Sequence, residues 1–200
     1  MPPDPALIEI PLFPLATVLF PGGQLNLRIF EPRYLDMIKS CSRTGQPFGI
    51  CLILEGEETG LPAAPAAIGT LAEILDFRMG EDGLLQILVA GRQRFRVEQT
   101  RIRSDGLIMA RVQAWSEPPP LAVPVEYGVL QQIAGRLLEV VDEPAAEHPH
   151  ADLDDAERLG YRLAQWLPLS DGERQQLLEQ TEPLQRLQEL TCLLPRFQKD

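Results

Sequence analysis

The sequence predicts an α+β chain in which a β-rich half is followed by a helical half. Three observations predict it. Short apolar runs fill residues 1–115, some strictly alternating, as where Leu25, Leu27 and Ile29 are interleaved with Asn26 and Arg28. Pro118, Pro119, Pro120 and Pro124 then crowd into seven residues, which neither a helix nor a central strand tolerates. Beyond them, apolar residues recur at helical spacing. The expected organisation is a β-rich unit over 1–116, a Pro-rich linker over 117–124 and an α-helical unit over 125–200.

In chain order, Leu7–Ile10 and Val18–Phe20 are the first strand candidates. Pro11, Pro14 and Pro21 interrupt this stretch, and a residue without a ladder donor suits edge strands and kinked extended pieces. Gln24–Ile29 is the alternating strand. At Glu31-Pro32 the period changes. Tyr34, Ile38 and Cys41 fall at helical spacing, Pro32 suits a first turn, and Glu31 lies near the positive helix end, predicting a helix over about Pro32–Ser42. Phe48–Leu54, Ile68–Phe77, Leu84–Ala90, Gln93–Thr100 and Leu107–Trp115 complete the strands. Gly80–Gly83 and Ser104–Gly106 read as hairpin turns, and the Pro/Ala-rich Gly60–Ala67 reads as a loop. In the second half, Val125, Val129, Ile133, Leu137 and Val140 form one apolar stripe. Asp154-x-x-Glu157 and Ser170-x-x-Glu173 have capping-box spacing and open new helices, the first presenting Leu159, Leu163, Trp166 and Leu167. Leu184, Leu187, Leu190 and Leu194 make the last stripe, closed by Pro195. The count is about four helices.

Composition narrows the function classes. An apolar fraction of 44% and a mean hydropathy of −0.08 suit a soluble protein with an ample core. No apolar run approaches the roughly 20 residues needed to cross a bilayer, and Met1-Pro-Pro-Asp-Pro5 has neither the basic nor the apolar part of a signal peptide. The expected location is cytoplasmic, with no membrane partner. Cys41, Cys51 and Cys192 form no Cys-x-x-Cys pair and read as buried reduced thiols. His148 and His150, beside Glu147 and Asp152, read as an exposed loop rather than a spaced metal-ligand set. Net charge is −11 and uneven: residues 1–115 carry 13 acidic and 11 basic side chains, residues 116–200 carry 16 and 7. A nucleic-acid binder needs a basic footprint to displace counterions, so no nucleic-acid partner is expected.

Several words in the chain match a known family. They are Pro11-Leu-Phe-Pro-Leu15, Leu19-Phe-Pro-Gly22 and Phe30-Glu-Pro-Arg-Tyr34, then Ile68-Gly-Thr-Leu-Ala-Glu-Ile74. The apolar run from Leu84 ends in Gly91-x-x-Arg94-Phe95, and Leu167-Pro-Leu-Ser170 opens a segment ending Leu177-Leu-Glu179. In this order they resemble the LON substrate-binding domain, the N-terminal module of Lon-type ATP-dependent proteases, which also occurs alone. The resemblance implies a PUA-like β pseudo-barrel followed by a helical bundle. The residues alone do not choose a barrel over a sandwich. It also implies a role in selecting protein substrates, with unfolded or partly folded protein or peptide segments as partners. The Gly60–Ala67 stretch carries no family word.

The catalytic parts of a full Lon protease are not in these residues. A P-loop needs Gly-x-x-x-x-Gly-Lys, and the two lysines, Lys39 and Lys199, do not follow a glycine. Lys39 adjoins Ser40, but helix neighbours do not face each other, so no Ser-Lys dyad is expected. No Gly-x-Ser-x-Gly elbow is present. The chain is therefore expected to be non-catalytic, with no cofactor and no metal. Two clusters are candidate peptide-binding features. Phe30, Arg33 and Tyr34, with Glu31, gather at the strand-to-helix corner, where they serve either peptide capture or packing. Arg92, Arg94 and Arg96 lie at i, i+2 and i+4, so a regular strand aims all three guanidinium groups to one face. They serve either as a recognition strip for acidic or polar segments or as ion-pair partners of the acidic helical half. The leading expectation is a protein- or peptide-binding module. The alternative is a small-ligand binder or enzyme with a site in the cleft between the β and helical halves.

Overall fold

The computed structural model describes residues 7–58, 60, 63–116, 118–141 and 151–197. The chain forms two compact units, Met1–Glu117 and Pro118–Asp200. The first is a mixed sheet with one α-helix and the second is helical, so the fold is α+β.

The first unit holds β1 (Ile8–Leu15), β2 (Gln24–Ile29), α1 (Pro32–Thr44), β3 (Phe48–Glu55), β4 (Ala64–Met79), β5 (Leu85–Ile102) and β6 (Ile108–Ala114). The strand order is β2-β5-β4-β3-β1-β6, and β6 pairs back onto β5. Strands β1, β3, β4, β5 and β6 therefore close into a barrel, and β2 adds to the first part of β5. The β1–β3 pair is parallel and the rest are antiparallel. Closure removes edges, which is why β5 is so long: it borders β2 and β4 first, then β4 and β6.

Several boundaries differ from the sequence expectation. Leu84–Ala90 and Gln93–Thr100 are one strand, because a bulge carries β5 through Gly91. Thr70 stands opposite Arg94 and Ala72 opposite Gly91, so three steps on β5 match two on β4. β4 starts at Ala64, inside the expected loop. β1 runs through Pro11 and Pro14, since only Leu12 has a strand on both sides. Residues 8–12 pair with β6 and 12–15 with β3, so each proline can turn its missing donor to the unpaired side. Val18–Phe20 is not a strand. It is a buried loop whose Leu19 carbonyl accepts from Thr70 Oγ1 at 2.6 Å, while Gly22 N–H donates to Gly91 O and Gly91 N–H to Gly23 O. A Cβ on Gly91 would lie 2.1 Å from the Phe20 carbonyl oxygen.

Phe95 fills the barrel, among Ile10, Leu12, Cys51, Leu71, Ile108, Ala110 and Val112. The ring leaves no room for a side chain at Gly49 or Gly69, whose Cβ atoms would lie 2.6 and 2.8 Å from Phe95 Cζ. Burial here pushes the Cys51 thiol up to about 12, and Cys41 is likewise buried and raised. Cys192 is exposed, unlike the expectation for it. A second cluster packs α1, through Tyr34, Met37, Ile38 and Cys41, against Phe13, Phe48, Ile87 and Val89. Gly45, at φ 69°, ends α1 with its N–H on Cys41 O.

The second unit contains α2 (Gly128–Leu138), α3 (Ala156–Trp166), α4 (Asp171–Glu179) and α5 (Pro183–Leu193), with α3 packed on the other three. Ser170 and Glu173 form the expected capping box. The α3 cap is Asp155, one residue later than the spacing suggested. Its Oδ1 accepts from Glu157 and Arg158 N–H, and its Oδ2 accepts from Leu121 N–H. The α2 stripe is also rotated from expectation. Leu130 and Ala134 are buried, whereas Val125 (97% exposed), Val129 and Val140 face outward. Leu159 and Leu163 are buried with Leu167, but Trp166 is only half-buried, with Arg162 over its ring. Arg186 is wholly buried. Its Nε donates to Leu177 O, Nη2 donates to Gln180 O, and its guanidinium lies 4.2 Å from the Tyr161 ring centroid. It thereby satisfies carbonyls at the end of α4, and Gly160 gives its stem passage: a Cβ there would lie 2.9 Å from Arg186 Cδ.

Gly69→Ala is expected to lower stability by about 1–3 kcal/mol or more, because Ile50 O, Cys51 Sγ and Phe95 all crowd the new methyl. A urea midpoint that does not fall would contradict this packing. The second prediction concerns pH. The Arg196 guanidinium beside Glu173, with the Ser170 N–H and hydroxyl, holds the Glu173 carboxyl at about 2, below its ordinary 4.5. A depressed carboxyl stabilises above its unfolded pKa, and that contribution disappears as pH falls through the folded value. Glu173→Gln should therefore be less stable than the parent at neutral pH, with the difference shrinking as pH falls from the ordinary carboxylate range and disappearing only below about 2, by thermal melts across the range.

Candidate functional site

The structure separates the five residues singled out for binding. Phe30 is 53% exposed and Arg92 is exposed, while Arg33, Tyr34 and Arg94 are buried. The bulge after Gly91 breaks the two-residue alternation between Arg92 and Arg94. Arg94 and Arg96 stay in regular register on β5, but Arg94 is buried and Arg96 exposed, so the three guanidinium groups do not form one exposed strip. Arg92 Nε lies 2.6 Å from Glu73 Oε2 and Arg96 Nε lies 3.8 Å from Glu98 Oε1, both partners within the sheet rather than the acidic helical half. Arg94 is 2% exposed and its guanidinium lies 4.8 Å from the Trp115 ring centroid.

The strand-to-helix corner is mostly packing. Tyr34 stacks on Phe13 with centroids 4.1 Å apart, and the Arg33 guanidinium lies 4.8 Å from the centroid of the Tyr34 ring. Arg33 Nη1 donates to Gly106 O at 3.1 Å and Nη2 pairs with Glu31 at 2.9 Å. Glu31 spends its carboxylate on Arg33 and makes no side-chain cap to α1. This arginine therefore ties the β5–β6 turn to the start of α1. Burial is the main cause raising the Tyr34 pKa. Only Phe30 of this corner offers a large apolar surface to a partner.

A different surface has the properties of a binding site. Across β2, β5 and β4, three rows of apolar residues stand in register: Leu25, Val89 and Ile74; Leu27, Ile87 and Phe77; Ile29, Leu85 and Met79. Residues directly opposite in antiparallel pairs share a face. One side of this face belongs to the core: Ile29, Ile87 and Val89 are buried in the cluster with α1. Toward the outer side of β4 the cover runs out, leaving Phe77 48% and Met79 68% exposed. Arg28 on β2 pairs with Asp82 in the β4–β5 turn, holding the far end of the three strands together. Phe30 follows Ile29 at this same end. The sequence marks Ile68–Phe77 as a strand, but its spacing shows neither the bulge that brings Phe77 onto the face of Ile74 nor that the core stops short of the strand's end.

Among the described residues, no group of three His, Cys, Asp or Glu side chains could hold a metal ion, and no helix is long and apolar enough to cross a membrane. His148 and His150 lie outside the described residues.

A family model, that of the ATP-dependent protease La (LON) substrate-binding domain, matches residues 9–196. The chain belongs to this family. The LON fold is seen in the crystal structure of a Lon N-terminal domain protein from Xanthomonas campestris, 40% identical with a TM-score of 0.78, over 92% of this chain and 98% of that one. The N-terminal domain of the Mycobacterium avium complex Lon protease shares the fold at 17% identity and a TM-score of 0.65, covering 92% and 96% of the two chains. Cereblon from Danio rerio is 33% identical over 120 residues, 56% of this chain and 27% of cereblon. Lon protease from Lawsonia intracellularis is 28% identical over 187 residues, 90% of this chain and 22% of that protease. The chain spans only about a quarter of the curated relatives it matches.

The LON words fall where the barrel is tightest. Gly69 and Phe95 meet inside it, and Leu19-Phe-Pro-Gly22 docks on Gly91 and Thr70. The corner can be tested directly. Tyr34→Ala should destabilise the domain by about 3–5 kcal/mol, the usual cost of deleting a buried aromatic ring, whereas Phe30→Ala should stay within about 0.5 kcal/mol of the parent. Equal urea midpoints for the two variants would show that the corner is not packed as described.

Proposed function

We propose that this chain is a non-catalytic module that binds unfolded or partly folded polypeptide segments, and that the outer part of the β2–β5–β4 face is where it does so. The observation that carries this is the apolar face itself. It continues the core without a break and ends in Phe77, 48% exposed, and Met79, 68% exposed. Unfolded chains differ from folded ones chiefly in the apolar side chains they expose, so a water-facing apolar surface discriminates between them. Membership of the LON substrate-binding family supports the same reading. Phe30 extends the surface at the turn end, and Arg92 lies outside it. The balance of 13 acidic against 11 basic side chains in residues 1–115 supplies no footprint for nucleic acid. With neither a P-loop nor a nucleophile–base pair in its sequence, the chain is proposed to turn over neither ATP nor peptide bonds.

The test uses β-casein, which stays unfolded in buffer, against a compact native protein of similar size. Binding is read by fluorescence anisotropy at two salt concentrations. Casein should bind more tightly than the native protein. Its affinity should survive moderate salt, because apolar contact is not screened as exposed charges are beyond about 8 Å at physiological ionic strength. Phe77→Ala with Met79→Ala should weaken it by about tenfold or more, as loss of central apolar anchors does. Arg92→Ala should change it little. Equal affinity for native and unfolded proteins, or collapse of binding on a modest rise in salt, would sink the proposal.

A further inference from the structure

The edge of β4 specifies how such a segment would be held. β3 pairs with β4 only as far as Ala72, and among the described residues no strand borders β4 beyond that point on its outer side. The last part of β4 therefore has β5 on one side only. The direction of its backbone groups follows from two hydrogen bonds. Gly80 N–H donates inward to Leu84 O, across the hairpin turn. Phe77 N–H donates instead to its neighbour's carboxylate, Asp76 Oδ1, at 2.8 Å in an exposed position. Alternation along a strand then turns the N–H and C=O of Phe77 and Met79 outward, and those of Arg78 inward toward Gln86, its partner on β5. An oxygen acceptor thus already sits on the Phe77 donor, where the carbonyl of an added strand would sit.

Side chains extend the same logic. Phe77 and Met79 lie on the apolar face with Ile87 and Leu85, while the intervening Arg78 takes the opposite face with Gln86 and Arg28. A strand laid along this edge would meet apolar neighbours on one face and charged or amide neighbours on the other. Its own residues would alternate accordingly.

We propose that β4 accepts an extended, alternately apolar and polar polypeptide segment as an added strand, through the outward main-chain groups of Phe77 and Met79. This deepens the proposed function and rests on it, since it names the conformation and pattern of segment bound at that surface. The asymmetry is specific: a helical amphipathic segment with the same apolar content offers no main-chain groups to the edge. Asp76 acts as a competing acceptor, which an incoming carbonyl displaces, and the bulge at Leu75–Asp76 confines pairing to the part of the edge nearest the turn.

The experiment uses the full chain and three decapeptides. The first alternates Val with Thr and Lys, the second has the same composition with its Val residues at helical spacing, and the third is the first with three consecutive central amides N-methylated. The first should bind at least about tenfold more tightly than either of the others, because N-methylation removes main-chain pairing and keeps the side chains. Amide exchange followed by NMR should show the Phe77 and Met79 amides becoming protected when the first peptide binds, with Arg78 already protected without it. Asp76→Ala, which removes the competing acceptor, should tighten binding by about threefold. Equal binding of the N-methylated peptide, or unchanged exchange at Phe77 and Met79 in the complex, overturns strand addition. If β-casein still binds in that case, the apolar-surface reading stands without it. Protection of these amides by self-association in the absence of peptide assigns the edge to a second copy and also overturns the proposal. Failure of both casein and the alternating peptide to bind overturns both readings.

Discussion

A phenylalanine ring inside a small closed barrel is the constraint on which the first unit depends. Phe95 sits on the axis side of β5, and β3 and β4 can approach it only because Gly49 and Gly69 carry no side chain. At Gly69 the restriction is twofold, since a methyl there would also strike the Ile50 carbonyl on β3. Interiors packed to crystal-like density do not yield such space by small adjustments. The ring, the two glycines and the strand spacing are therefore one feature. Closing the barrel around it forces β5 to serve three neighbours in turn, and that is what carries the first part of β5 out of the barrel to pair with β2.

The bulge after Gly91 belongs to the same arrangement. β5 needs an extra residue there so that Phe95 points inward after the strand has passed beneath the Leu19-Phe-Pro-Gly22 loop. That loop lies against Gly91 closely enough that the Phe20 carbonyl excludes any Cβ. Thr70, wholly buried, meets the loop's remaining polar need through its hydroxyl on Leu19 O. In the helical unit a comparable role falls to Arg186, which turns a side chain inward to satisfy the end of α4 and needs Gly160 to pass. In both units a glycine gives passage to a group that fixes neighbouring backbone.

These relations explain what could be read from the sequence. The α+β class, β2, α1 and both hairpin turns were legible because each depends on local chemistry: alternation, Pro32 at a helix start, and Gly83 and Gly106 at positive φ. The Ser170 cap was legible for the same reason. What failed depended on partners distant in sequence. Pro11 and Pro14 look like strand breakers until β1 is known to change neighbours at Leu12. Arg92 and Arg94 look coplanar until β4 shows that β5 carries an extra residue between Gly91 and Arg94, and Arg94 looks as exposed as Arg96 until Trp115 is found against it. Val125, Val129 and Val140 have helical spacing, yet tertiary packing chose Leu130 and Ala134, one position round the helix. The candidate site was illegible for a further reason. Phe77 and Met79 follow the alternating rule for buried residues, and only the extent of α1's cover decides that they are exposed.

That exposure has a physical cost and a physical origin. A fully buried apolar side chain contributes roughly 1.5–3 kcal/mol over an exposed one, and Phe77 and Met79 forgo much of it. The barrel makes the sacrifice unavoidable at this place. β5 must be long to reach β2 and β6, β4 must follow it to form the hairpin, and β3 stops at Phe48, opposite Ala72. The hairpin therefore extends beyond the strands and the helix that cover its base. An overhang of this kind would ordinarily invite uncontrolled pairing along its free edge. Here Asp76 occupies one outward donor, Arg78 alternates with the two exposed apolar residues, and the bulge at Leu75–Asp76 shortens the regular edge. Such features moderate an edge without closing it. An apolar face kept open, but guarded along its margin, suits reversible contact with extended chains better than either a fully covered hairpin or an unprotected one.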